Sequence, residues 1–567
     1  MNSKNKPALQ TIAIGLFFLV ALITWTLWQF HFNYMIALYD SFFHTQRIYE
    51  IRLAFQQHTL PNWVNFNTFF NTGQAVNGMY PDITLWPFVF ITNFLTPIHQ
   101  IIAIKSLIAL ATFVVSFLSL NKRFDSRNAI LAATIFTLSG SVLKDLTNEM
   151  QTGTAIVMIF AFPLLFTLKD IIESKNFDLV LIIKTSLLMA IVINSHLLSA
   201  VAITMIAGIF LIVTTVIKRN YWAWINLTLA ALLTIALCLP MIYRIIKISK
   251  TGLLSPFGKG TVLSDSLFTL FKTTSWSAKS TISEVAIILI VITLIGLKKD
   301  KLPKLLPWLA VELVLIIFCT NIIPWKLLAK LPIIDSFQVA NWRFALFLGM
   351  IPLILVLINF SQKTTRIIFL IIATLSFILA FRNTYNFQYY HTQNLPVVSR
   401  YSTETISQNA TVKLTSSGIN SDKLTRTLIP DYAPNSAPLE KGSNGGSLDS
   451  QTSYLILNHL ATTKKRDIKL THTSTAHSLT LRATNVPKGK ITLPVFGYRT
   501  LNYHITVNGQ KTKATINPSG FITINQKKQL KHAIYRIEQQ PPTSYKALLW
   551  MSTVLLIGLI GILIINF

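Results

Sequence analysis

The 567-residue chain is 52% hydrophobic and only 13% charged, with a positive mean hydropathy, which excludes a string of soluble domains and marks a polytopic membrane protein. A formal net charge of +29 would point to nucleic acid in a soluble protein, but here the basic residues border apolar runs or lie in a late polar segment. Membrane lipids and anionic, phosphate-bearing partners are therefore expected, and nucleic acid is not.

Apolar runs that cross or nearly cross a bilayer lie at about 9–30, 98–120, 129–144, 153–169, 178–195, 198–217, 222–244, 282–298, 304–322, 343–360, 366–382 and 546–566. These predict a mainly α fold of about twelve spans, the first a retained anchor rather than a cleaved signal. Cys238 and Cys319 both fall inside such runs, so neither a disulfide framework nor a CxxC metal site is expected. The basic clusters Lys4/Lys6, Lys122/Arg123/Arg127, Lys218/Arg219, Lys298/Lys299/Lys301/Lys304 and Lys363/Arg366 then share one side. The positive-inside rule makes that side cytoplasmic, with both termini on it. The run Ile83 to Leu95, broken by Pro87 and closed by Pro97, is read as re-entrant or interfacial.

On the outer side lie a first loop (31–97), several turns, a loop at 245–281 whose Gly- and Ser-rich stretch Thr251 to Ser280 is expected as a mobile lid, and a long segment at 383–545. In that segment short alternating strands, such as Leu479–Ala483, Ile491–Val495, Tyr503–Val507 and Phe521–Ile524, are separated by the turn signals Asn508-Gly509 and Ser519-Gly520. They predict an extracytoplasmic β-sandwich or jelly-roll, followed by a C-terminal span. The division is thus 1–382 (transmembrane), 383–545 (β-rich) and 546–567 (terminal helix). Asn435 to Thr452 is too rich in Gly, Ser and Pro for a core and reads as a flexible loop.

The unusual polar residues collect on the outer side, whereas the cytoplasmic loops are short and contain neither GxxxxGK[ST] nor a strand-to-helix GxGxxG, which argues against a cytosolic nucleotide substrate. Asp40, His44 and Arg47 share one face of a helix after the first span. There Asp40 can act as a general base or merely cap the helix, and His44 and Arg47 can hold an anion. Asp82 is a second carboxylate with the same two roles, beside Tyr80. Glu149 in the turn 144–151, His196 at a span end, and Arg244 and Lys247 at an outer end against the positive-inside bias are candidates for binding. So are Gln338, Trp342 and Arg343, where a guanidinium can grip phosphate and an indole can stack on a sugar.

The D-x-x-F-H-x-x-R-I stretch of Asp40, Phe43, His44, Arg47 and Ile48, the turn Leu331-Pro332 to Phe337-Gln338 and Trp342-Arg343-Phe344, and the outer β-rich segment closed by a terminal span resemble the YfhO-like bacterial membrane proteins within the GT-C glycosyltransferases. The resemblance implies a sugar transferred, with inversion, from an undecaprenyl-phosphate-linked donor to an extracytoplasmic cell-envelope polymer such as a teichoic acid. It implies Asp40 as base and Arg343 on the phosphate. The chain departs from the common GT-C pattern in lacking an acidic pair at the first loop, so no metal ligand is assigned and a divalent metal stays open. The rivals are a flippase of lipid-linked saccharides and a non-catalytic envelope-assembly protein.

Overall fold

The computed structural model describes residues 6–38, 40–147, 149–256, 262–276, 278–331, 333–389, 393–402, 411–424, 428–441 and 446–566; Lys4, Asn148 and Pro332 lie outside them. All twelve apolar runs are helical, but they differ in reach. Among the described residues seven helices are long and apolar enough to cross a membrane: Ala8–Phe30, Pro97–Asn121, Leu197–Lys218, Trp222–Ser249, Asn341–Asn359, Gln362–Gln388 and Thr543–Ile565. Two further spans are bent pairs, Ser126–Thr137 with Gly140–Thr147 (43°) and Thr152–Ile159 with Ala161–Glu173 (56°). The expected dozen is therefore seven, or nine with the bent pairs. The remaining runs form Leu179–Ser195, Glu284–Ile295 and Leu302–Phe318, of 17, 12 and 17 residues. At about 1.5 Å per residue these fall short of a hydrocarbon core of about 30 Å. The run at 83–95 forms a single 3-10 turn, Ile83–Leu85, and the six-residue helix Trp86–Ile91.

The basic connections converge at one end of the bundle. Arg123 pairs with Asp170, and Arg366 Nη2 lies 3.4 Å from Asp125 Oδ2. Arg127 Nη1 donates to Gln10 Oε1 (3.2 Å), and the Lys298 amide to Asn359 Oδ1 (3.4 Å). Acidic and amide side chains here disperse the charge that five cationic loops would otherwise concentrate.

The strands are β1 (Tyr34–Ala37), β2 (Val397–Val398), β3 (Val412–Thr415), β4 (Leu460–Thr462), β5 (Asp467–Lys469), β6 (Thr471–Ser474), β7 (Ser478–Val486), β8 (Gly489–Phe496), β9 (Tyr503–Val507), β10 (Gln510–Lys511), β11 (Ala514–Ile516), β12 (Phe521–Gln526) and β13 (Leu530–Gln539). β4–β13 make two five-stranded antiparallel sheets, ordered β10-β9-β13-β7-β6 and β11-β12-β8-β4-β5. Alternation aims Leu479 and Leu481 of β7, Ile505 of β9 and Ile537 of β13 at Ile491, Leu493 and Ile524 of the other sheet, and all are buried in one core. Asn508 (φ 49°) and Gly509 (φ 82°) turn β9 into β10, the two positive φ angles that a two-residue hairpin of this twist requires. The hairpins β4–β5, β6–β7, β9–β10 and β11–β12 make this a sandwich of sequential hairpins.

Part of the expected flexible loop is ordered. Ala437 and Leu448 are buried in the sandwich core, and the Asp449 carboxylate caps the helix Ser450–Leu457 through the Thr452 amide (2.6 Å). A Gly- and Ser-rich stretch can supply core positions when its few apolar residues are spaced by turns; only 442–445 within it lie outside the described residues.

The first loop is packed under the sandwich. Trp63, Val64, Phe66 and Phe70 share its core, Phe496 N donates to Thr72 O (2.7 Å), and Asn62 Nδ2 to Gln539 O (3.1 Å). Farther along, β1 pairs antiparallel with β3, Tyr34 opposite Thr415 and Ala37 opposite Val412.

Candidate active site

The site is built on the helix Ser41–Gln56, which follows β1. The side chain of Asp40 stands at its N-terminus but makes no capping hydrogen bond; Oδ2 instead accepts from Gln151 Nε2 at 2.8 Å. Gln151 has a fixed orientation, because Lys279 Nζ donates to its Oε1 at 3.0 Å and so turns the amide nitrogen toward Asp40. Lys279 also pairs with Glu149 Oε2 (2.5 Å) and with the buried Asp145. Burial pushes the Asp40 carboxyl above its ordinary range; Gln151, Lys279 and Arg343 pull it back down, and Glu149 pushes it up.

One and two turns into the same helix, His44 and Arg47 are buried rather than snorkelling, Arg47 being 1% exposed. Arg47 Nη1 meets His44 Nδ1 at 3.1 Å, Nη2 donates to Pro81 O at 2.8 Å, and the guanidinium lies 4.0 Å from the centroid of the Tyr80 ring. Tyr80 is the hub: His44 meets it edge-on at 5.6 Å, His196 lies at 6.3 Å, and Arg47, Asp40 and Arg343 all act on its phenol electrostatically. Burial, with Arg343, Lys279 and Arg47 nearby, holds His196 neutral, its imidazole pulled down to about 3. Its Nδ1 lies 2.7 Å from Ser199 Oγ and caps the helix Leu197–Lys218.

Arg343 lies in the first turn of the helix that opens the span Asn341–Asn359 and is 8% exposed. Its Nε donates to Phe337 O (2.9 Å) and Nη2 to Gln338 Oε1 (3.1 Å). The Gln338 backbone (φ 62°, ψ −59°) is held in this rare conformation by Leu263, whose N–H it receives at 2.8 Å. Trp342, 46% exposed, lines a cavity of about 380 Å³ with Lys144, Asp265, Lys279, Asn341 and several Ser and Thr hydroxyls. The described parts of the loop 245–281 are tied down: Leu254 N bonds Ala433 O (2.9 Å), and Leu263 and Asp265 bridge to Val339 and Thr320. The mobile-lid expectation therefore gives way to an ordered wall.

Asp82 is also not a helix cap. Its Oδ1 pairs with Arg244 Nη2 (2.9 Å) and its Oδ2 accepts from Trp86 Nε1 (2.9 Å), all of it buried. Both oxygens are thus engaged, and Arg244 is neutralised. Lys247 is half-buried and joined to the cluster by no hydrogen bond or ion pair among the described residues. Sequence reading missed Gln151, Lys279, Asp265, Asp431 and Tyr432. Asp431 lies close enough to Asp40 that burial and that neighbour push its carboxyl up to about 7, and Tyr432 lies near Tyr80 and Arg47. Lys279 falls in a loop that the positive-inside reading expects on the outer side, so it carried the same signal as Arg244 and was legible on that ground.

The fold and the site together define a polytopic membrane protein with a buried charged cluster between its first loop and its helix ends, which Lys279 links to the neighbouring cavity. No family model and no curated protein sequence matches the chain. Among solved structures it is similar to the arabinofuranosyltransferase AftD from Mycobacteria, with a TM-score of 0.39 and 16% identity over 68% of this chain and 27% of that one. A mutant form of the same protein gives a TM-score of 0.41 and 12% identity over 89% of this chain and 43% of that one. The chain spans less than half the length of either.

Proposed function

We propose that the protein is a membrane glycosyltransferase that moves a sugar from a polyprenyl-phosphate donor, undecaprenyl phosphate in a bacterium, to an extracytoplasmic envelope polymer. The observation that carries this reading is a pair of buried guanidinium groups, Arg47 and Arg343, both flanking Tyr80 and neither in an ion pair among the described residues. A buried cation without an ion pair is costly, and the carboxyls nearest these two, Asp40 and Asp431, are themselves pushed toward the neutral form by burial, which favours an anionic ligand there. A lipid phosphate supplies that charge and gains it as the leaving group, where fixed donors stabilise it most.

Asp40 is the base in this scheme. Its Oδ2 is held by Gln151, it sits in surroundings that raise its proton affinity, and it can take the acceptor hydroxyl's proton as that oxygen attacks the anomeric carbon from the face opposite the phosphate. Asp82 holds Arg244 rather than reacting. The hydroxyl-lined cavity with Trp342 suits a sugar ring. Convergence of the basic loops at the far end supports an outer-leaflet site at this one.

The test is transfer from a synthetic polyprenyl-phosphoryl sugar to envelope polymer by protein in detergent, where no barrier remains to cross. Asp40→Asn is expected to lower turnover by about 100-fold or more with unchanged melting temperature. Full activity in that variant would remove Asp40 as base, and no turnover in the unmodified protein would favour the flippase.

A further inference from the structure

A second cluster lies away from this site, where the sandwich meets the segment after β3. His459 is 6% exposed and stands just before β4; His472 is in β6, half-buried; Asp422 is exposed in the turn that follows β3. One ligand atom from each lies within 4.8 Å of the others. His459 Nε2 is 3.3 Å from Asp422 Oδ1, yet this buried nitrogen has no aligned hydrogen-bond partner among the described residues. The two imidazole rings are tilted by 40° with their centroids 4.4 Å apart. A buried imidazole nitrogen facing a carboxylate oxygen at 3.3 Å, with a second imidazole within reach, is the donor set of a metal site.

We propose that Asp422, His459 and His472 bind one divalent transition-metal ion of the zinc type. Two imidazoles and one carboxylate are the donors such an ion selects, whereas calcium and magnesium prefer all-oxygen sites. Metal–ligand bonds of about 2.0–2.1 Å at tetrahedral angles separate ligand atoms by about 3.3 Å, the spacing already present between His459 and Asp422. The exposed side of Asp422 leaves the fourth position to water.

The placement gives the ion a task. His459 adjoins a strand of one sheet and His472 lies in an edge strand of the other. Asp422 follows Ile419, whose carbonyl receives the Gln46 amide of the helix that carries Arg47. The metal would therefore fasten both sheets of the sandwich to the segment that braces the site helix. This proposal does not depend on the transfer chemistry.

The experiment uses full-length protein without a histidine tag, stripped with chelator and titrated with Zn²⁺ alone. One ion per chain by elemental analysis, and a higher melting temperature with zinc, are expected. His472→Ala and Asp422→Asn should each weaken binding at least tenfold and cancel the thermal gain. Because Asp422 is exposed, Asp422→Asn should leave the metal-free melting temperature unchanged, so it decides the matter if His472→Ala misfolds. Absence of zinc in the unmodified protein, or equal binding in Asp422→Asn, overturns the proposal.

Discussion

Asp40 and Asp82 show how two similar sequence signals part in the structure. Each precedes a helical turn and each could have been a cap; one instead faces Gln151 and the other is clamped between Arg244 and Trp86. The sequence offered both carboxylates, but not their pairing with Gln151 and Arg244, which lie 111 and 162 residues away. The partners give opposing predictions. If Asp40 must be ionised to act, the acid limb of the pH–rate profile follows its proton affinity, which burial raises. Removing the negative Glu149 with Glu149→Gln should move that limb to lower pH, and removing the positive Lys279 with Lys279→Met should move it to higher pH. Movement of both limbs in one direction would contradict the placement of these charges around Asp40. Asp82→Asn should instead act on stability, costing about 3–5 kcal/mol by stranding Arg244. The paired change Asp82→Leu/Arg244→Met should recover much of that loss in thermal unfolding.

Single helices were legible wherever one apolar run stays straight for a bilayer's width, as in Pro97–Asn121 and Thr543–Ile565. The bends at 138–139 and near Phe160 were passed over by a reading of hydropathy alone, although Ser139-Gly140 marks the first and Pro163, which offers no N–H to the Ile159 carbonyl, marks the second. The bend near Phe160 serves the site, because the helix Thr152–Ile159 begins directly after Gln151. Gly153 lets that helix sit against Ser195, whose carbonyl oxygen would be 2.4 Å from an added Cβ. Gly153→Ala should therefore destabilise the fold by about 1–3 kcal/mol through overpacking, read as a lower melting temperature, and reduce turnover by displacing Gln151. The loop between the site helix and Tyr80 was equally illegible. Phe69, Phe70 and Asn71 all take positive φ (50°, 57° and 57°), a conformation that no turn signal announces. It persists because Gln46 Oε1 accepts from Phe69 N (2.8 Å) and the Glu50 carboxylate accepts from Phe66 N, Asn67 and Thr68. Glu50→Gln would aim an amide N–H at those donors and should cost about 1–3 kcal/mol.

For the whole molecule, composition alone fixed the membrane class, and strand periodicity located β7, β8, β9 and β12 closely. What it could not reveal is that the late polar segment is joined to the first loop throughout, by a shared core, by Tyr498 accepting from the Ala75 amide (2.8 Å), and by β1 pairing with β3. Such pairings have no periodic signature, since each partner looks locally complete. The β1–β3 ladder also sets an order in time. During synthesis the site helix emerges directly after the first span, but the strand that anchors its entrance is made some 375 residues later, Ala37 waiting for Val412. At roughly 5–20 residues per second that delay is on the order of 20–75 s. For that interval the nascent chain holds an inserted bundle whose charged helix has neither its strand partner nor its roof. A ribosome stalled before β3 should thus yield a chain whose first loop is cut readily by protease, whereas one released after β13 should protect it.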